Sequence, residues 1–125
     1  MAGIGFGSRG GSDVGEMAGL GHNIVALCDV DANNLKAAGE KCKGARLYTD
    51  WRRMLESEKG QLDSVHVSTP DHMHAPIASA AMAVGKHVYV QKPMCWSVLE
   101  ARHLAKQAAA NPKLITQMGN QGHST

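Results

Sequence analysis

Six short apolar runs separated by five helical patterns constrain this chain more than any other feature. Strands that alternate with helices are driven into a mostly parallel sheet, since each return to the same edge needs a helical crossover, nearly always right-handed. The runs cover residues 2–6, 23–29, 45–48, 64–68, 87–91 and 114–118. The second is almost continuously apolar (Ile24, Val25, Ala26, Leu27, Cys28), as expected of a strand covered on both faces. Helical stripes are predicted over 13–20, 32–43, 51–59, 71–84 and 97–110, with Asp31, Asp50 and Asp71 at helix starts and Gly44, Gly60 and Gly85 at stops. Ser97 and Glu100 have the spacing of a capping box. The reading is α/β: a single doubly wound domain over 1–125, strand order 3-2-1-4-5-6. Ligands then bind past the carboxyl ends of the first and fourth strands, at 5–11 and 68–74.

The 125 residues, 43% of them hydrophobic, suffice for one core and not for two full-sized ones. A net charge of +2 without a basic stripe, and only five aromatics (Phe6, Tyr48, Trp51, Tyr89, Trp96), argue against a nucleic-acid partner. The apolar runs are far short of the roughly 20 residues a membrane helix needs, so no membrane association is expected. Met1 is followed at once by Ala2-Gly3-Ile4-Gly5, unlike an export signal; a cytoplasmic location is expected unless a leader has been removed. Cys28, Cys42 and Cys95 lack paired spacing and read as reduced packing residues.

Gly5-Phe6-Gly7-Ser8-Arg9-Gly10 is a G-x-G-x-x-G run between a strand and a helix, where absent side chains let backbone N–H groups approach a pyrophosphate. Asp29 falls 19 residues past Gly10, at the end of the second strand. A carboxylate there accepts both adenosine-ribose hydroxyls and repels a 2′-phosphate, which favours NAD over NADP. Either feature alone has a plain alternative, a flexible turn or a strand-end cap. His72 and His74 have H-x-H spacing but no evident third ligand, so no metal is expected. His22, His66, His87 and His103 read as structural.

With S-T-P-D-H-M-H at 68–74, G-K-H-V-Y-V-Q-K-P at 85–93 and Q-M-G-N-Q at 117–121, the chain resembles the nucleotide-binding Rossmann domain of the Gfo/Idh/MocA oxidoreductases. The resemblance implies that Thr69-Pro70-Asp71 lies along the nicotinamide half of the cofactor, with His74 in the same motif and Ser68 among the cofactor-binding residues. It matches the family's E-K-P signature to Gln91-Lys92-Pro93: Lys92 as the catalytic proton-transfer residue, a cis Lys92-Pro93 bond, and Gln91 keeping an acceptor for a ribose hydroxyl while losing the Glu's charge. Hydride removal from an alcohol carbon leaves a proton on oxygen for such a lysine to take, and a partly buried ammonium also stabilises an alkoxide. Gln117, Gly119, Asn120 and Gln121 are either cleft residues or a polar strand end. The implied activity is hydride transfer between NAD and a sugar or polyol-type alcohol. A non-catalytic dinucleotide-binding module and an NAD-dependent glycoside hydrolase stand as alternatives. The family's second, substrate-binding domain is not found in 1–125, and the apolar surface it would cover predicts a homo-oligomer.

Overall fold

The computed structural model describes residues 1–123; Ser124 and Thr125, the end of the predicted unit 1–125, lie outside the described residues. Strands β1 (Ala2–Ile4), β2 (Ala26–Cys28), β3 (Arg46–Tyr48), β4 (Ser64–Val67), β5 (His87–Gln91) and β6 (Thr116–Gly119) form one sheet in the order β3-β2-β1-β4-β5-β6. Every pairing is parallel. The order and class are those the alternation of runs predicts. Helices α1 (Ser8–Gly19), α2 (Ala32–Lys41), α3 (Trp51–Glu58), α4 (His74–Ala83) and α5 (Val98–Ala110) make the crossovers.

Pleat alternation divides the core. Ala2, Ile4, Ala26, Cys28, Val65, Val67, Val88 and Val90 pack with Met54 and Leu55 of α3, Ile77 and Ala81 of α4 and Leu104 of α5. Leu27 and Phe6 instead join Val14 of α1 and Leu35 and Ala38 of α2. Met54 and Ile77 are fully buried, each stabilising by about 1.5–3 kcal/mol.

Two helix starts differ from expectation. The first helix begins at Ser8, not near Asp13, because Gly10 lets the first helical turn close against the Gly5 carbonyl. The fourth begins at His74: Pro70 is extended, and Asp71–Met73 forms a 3-10 turn in which Asp71 caps nothing. The Ser97–Glu100 capping box forms as expected, closed from both sides.

Candidate functional site

The glycine turn is held by contacts no side chain would permit. Gly5 has φ +88°, and a Cβ there would lie 2.6 Å from the Ser68 carbonyl oxygen. A Cβ on Gly10 would lie 1.9 Å from the Gly5 oxygen. Gly7 caps α1 without a side-chain bond, and no acidic residue occupies the first turn, so the helix start offers backbone N–H groups and a positive dipole end to an anion.

Asp29 joins the second strand to this turn. Its Oδ2 accepts from the Phe6 N–H at 2.6 Å and its Oδ1 from the Asp31 N–H at 2.8 Å. A carboxylate offers about four acceptor sites, so each oxygen retains one. Beside it lies a cleft of about 800 Å³, bounded by Gly5, Gly7 and Ser8 on one side and Ser68, Thr69 and Pro70 on the other. These two segments are the ones the strand order places together. Asp31, Asn34, Asp50, Trp51 and Arg52 extend the wall past the ends of β2 and β3. Sequence reasoning missed these five as site residues; Trp51 reads as core from its helical stripe, and in the fold it is half-buried with Arg52 4.7 Å over its ring.

Other predicted residues support the cleft without lining it. Arg9 pairs through Nε with Asp13 Oδ1 at 2.7 Å. Gln91 is buried, and its amide nitrogen donates to Asp13 Oδ2, so that edge of the side chain meets α1 rather than a ribose. His66 Nε2 lies 3.2 Å from the same oxygen and 2.8 Å from Ser68 Oγ, and its ring stacks on Tyr89. Facing a carboxylate, Nε2 carries the ring proton. Burial holds the imidazole below its usual pKa, against the opposing pull of Asp13. Arg9 and Asp13 have the i,i+4 spacing of a helical ion pair, a signal that appears only once the helix starts at Ser8 rather than near Asp13.

His74 ties the loop after β4 to the turn after β5. Its Nδ1 lies 2.6 Å from the Pro93 carbonyl oxygen and its Nε2 2.7 Å from that of Thr69, with the ring buried. Lys92 follows β5, and Lys92-Pro93 is cis, as the resemblance implies. The Lys92 side chain is exposed, not partly buried, because no element among the described residues covers the end of β5. Nor does the β6 end reach the cleft: Gly119 packs on the Tyr89 ring, Gln121 donates to the Tyr89 hydroxyl, Gln117 lines a separate apolar groove by α5, and Asn120 is exposed.

His87 accepts from the Ile115 N–H and His103 meets Ser79, while His22 is exposed. The three cysteines are free; burial, then the Asp29 and Asp50 charges, push the Cys28 thiol up to about 12. Among the described residues no three His, Cys, Asp or Glu side chains gather as a metal site, and no helix is long and apolar enough to cross a membrane.

A family model described as an oxidoreductase family with an NAD-binding Rossmann fold matches residues 1–119. The chain belongs to the Gfo/Idh/MocA family. D-apiose dehydrogenase of Paraburkholderia graminis is 39% identical over 97 residues, covering 76% of this chain and 25% of that protein. A glycosyl hydrolase family 109 protein of Streptomyces filamentosus is 30% identical over 125 aligned residues, covering 94% of this chain and 25% of its own length. The crystal structure of myo-inositol 2-dehydrogenase from Lactobacillus plantarum superposes with a TM-score of 0.88 at 28% identity, over 94% of this chain and 35% of that one. This Gfo/Idh/MocA chain therefore spans about a quarter to a third of the proteins it matches.

Proposed function

We propose that this chain binds NAD in the cleft between the glycine turn and the loop after β4, and is the nucleotide-binding half of a dehydrogenase for a sugar or polyol-type alcohol. The observation that carries the reading is Asp29: its carboxylate braces the glycine turn and borders the cleft with acceptor capacity to spare for ribose hydroxyls. The residues fit such a group. Gly5 and Gly10 have no room for a side chain, a Cβ on Gly7 would point into open space, and Thr69 Oγ1 is buried on the opposite wall with no partner among the described residues. A negative group at Asp29 disfavours a 2′-phosphate, hence NAD over NADP.

When bound, NAD supplies the hydride acceptor for an alcohol carbon. The chain's own residues orient and move protons: Ser68, Thr69 and Pro70 line the cleft at its nicotinamide end, and Lys92, exposed after β5, would take the proton from the alcohol oxygen in its neutral amine form, becoming the ammonium. A homo-oligomeric assembly belongs to the same proposal, through the exposed side chains of Trp96, Val98 and Leu99.

The relatives named as family 109 glycosyl hydrolases favour a second reading, glycosidic bond cleavage that needs bound NAD without its net reduction. Titration with NAD and NADH, followed by absorbance at the reduced-nicotinamide band with a panel of sugars and inositols, separates these. Net reduction supports the dehydrogenase, and release of aryl alcohol from aryl glycosides that depends on NAD supports the hydrolase. Binding without either leaves a dinucleotide-binding module. No binding contradicts all three.

A further inference from the structure

Beneath the cleft, three segments distant in sequence converge on one carboxylate. Asp13 of α1 is 6% exposed, and it meets Gln91 of β5 (5%) and His66 of β4 (0%). Its Oδ1 accepts from Arg9, whose side chain is half exposed at the first turn of α1. Its Oδ2 accepts from the Gln91 amide and faces His66 Nε2, which also reaches Ser68 Oγ on the cleft wall. Each donor on Asp13 therefore leads to a segment of the proposed site. Arg9 belongs to the glycine turn, His66 to the wall at Ser68, and Gln91 to the strand end that delivers Lys92.

The pairing also decides which residue type position 91 can hold. A buried carboxylate is tolerated when donors saturate it. An amide at 91 supplies such a donor; a Glu, the residue of the E-K-P signature, would set two buried carboxylates against each other. Among the described residues the groups facing the pair are Arg9 on α1, His66 and Ser68 on and after β4, and Gln91 on β5, with Tyr89 stacked behind His66.

We infer that Asp13 is a positioning residue of the nucleotide site: through Gln91 and Arg9 it fixes the β5 end and the glycine turn relative to each other, and the carboxylate and amide of the 13–91 pair are exchangeable. The inference rests on the proposed NAD binding. Asp13 acts through the groups it holds, not by touching the nucleotide.

The test is NAD affinity of the whole chain by calorimetry for wild type, Gln91→Glu, Gln91→Met and the exchanged pair Asp13→Asn/Gln91→Glu, at about pH 8 and about pH 5.5. Gln91→Glu is expected to weaken NAD at least about tenfold at the higher pH and to recover much of it at the lower, where the two carboxylates share a proton. The exchanged pair is expected to bind within about threefold of wild type at both, because an Asn amide now donates to the Glu carboxylate. Burial pushes the His66 imidazole below its usual pKa, and the wild type measured at both pH values carries the same imidazole, so the pH response that Gln91→Glu adds over wild type is the one read for the acid pair. Wild-type affinity in Gln91→Glu at about pH 8, or an exchanged pair no better than Gln91→Glu, overturns the inference while leaving NAD binding intact. If Gln91→Glu does not fold, Gln91→Met decides: similar in bulk and without a donor, it is expected to lose about tenfold at either pH, and undiminished binding overturns the inference. Failure of the wild type itself to bind NAD overturns the proposed function and this inference together.

Discussion

Gly10 is the residue whose replacement is most constrained by geometry. A methyl group there meets the Gly5 carbonyl oxygen at 1.9 Å, and backbone on both sides cannot step aside as a flexible side chain would. Gly10→Ala is expected to cost about 3 kcal/mol in urea unfolding and to abolish NAD binding, whereas Gly15→Ala, which meets nothing within 4 Å, should be neutral or stabilising. An equal and small effect at both positions would contradict the close-packed turn. The glycine spacing and Asp29 were legible because their geometry is local to one strand–turn–helix unit. The direction of the Gln91 amide was not, because it is set by Asp13, 78 positions away. Nor was the burial of His66, whose polar partners come from α1 and the end of its own strand.

The strands were legible as elements because a parallel sheet covered on both faces demands apolar runs, and each run lies where a strand forms. Helix starts were less so: the onset of α1 depends on contact with Gly5, and that of α4 on the extended Pro70. Edge strand β3 carries a further device. Arg46 and Tyr48 both bond the carboxylate of Glu58, buried at the end of α3, and Arg46 reaches Gln61 as well. The hydrogen bonds from Arg46, then Tyr48, hold the Glu58 carboxyl below its usual value of 4.5 against the opposing effect of burial. A carboxyl lowered in the folded state contributes stability that is present above its unfolded value and is lost as pH falls through the folded one. Glu58→Gln should cost about 2 kcal/mol at neutral pH and flatten the loss of stability below about pH 4.5. An unchanged acid limb in unfolding measurements would contradict this role.

For the molecule as a whole, the parallel sheet followed from alternation, and its observed order is the Rossmann one among the few topologies that right-handed crossovers leave. What covers its open surfaces did not. Trp96 (73% exposed), Val98 (69%) and Leu99 (79%) cluster at the start of α5, close in sequence to Lys92-Pro93. Apolar groups so placed favour self-association, so sedimentation velocity over rising concentration should show a dimer or larger species; a monomer throughout would count against it. The central claim, that the cleft beside Asp29 holds an adenine dinucleotide, is tested most directly by calorimetric titration of the folded chain with NAD. Saturable one-to-one binding is expected, weakened at least about tenfold by Asp29→Ala, with NADP binding more weakly than NAD to the wild type. A folded protein that gives no binding heat at millimolar NAD and no ligand-induced rise in melting temperature would contradict it.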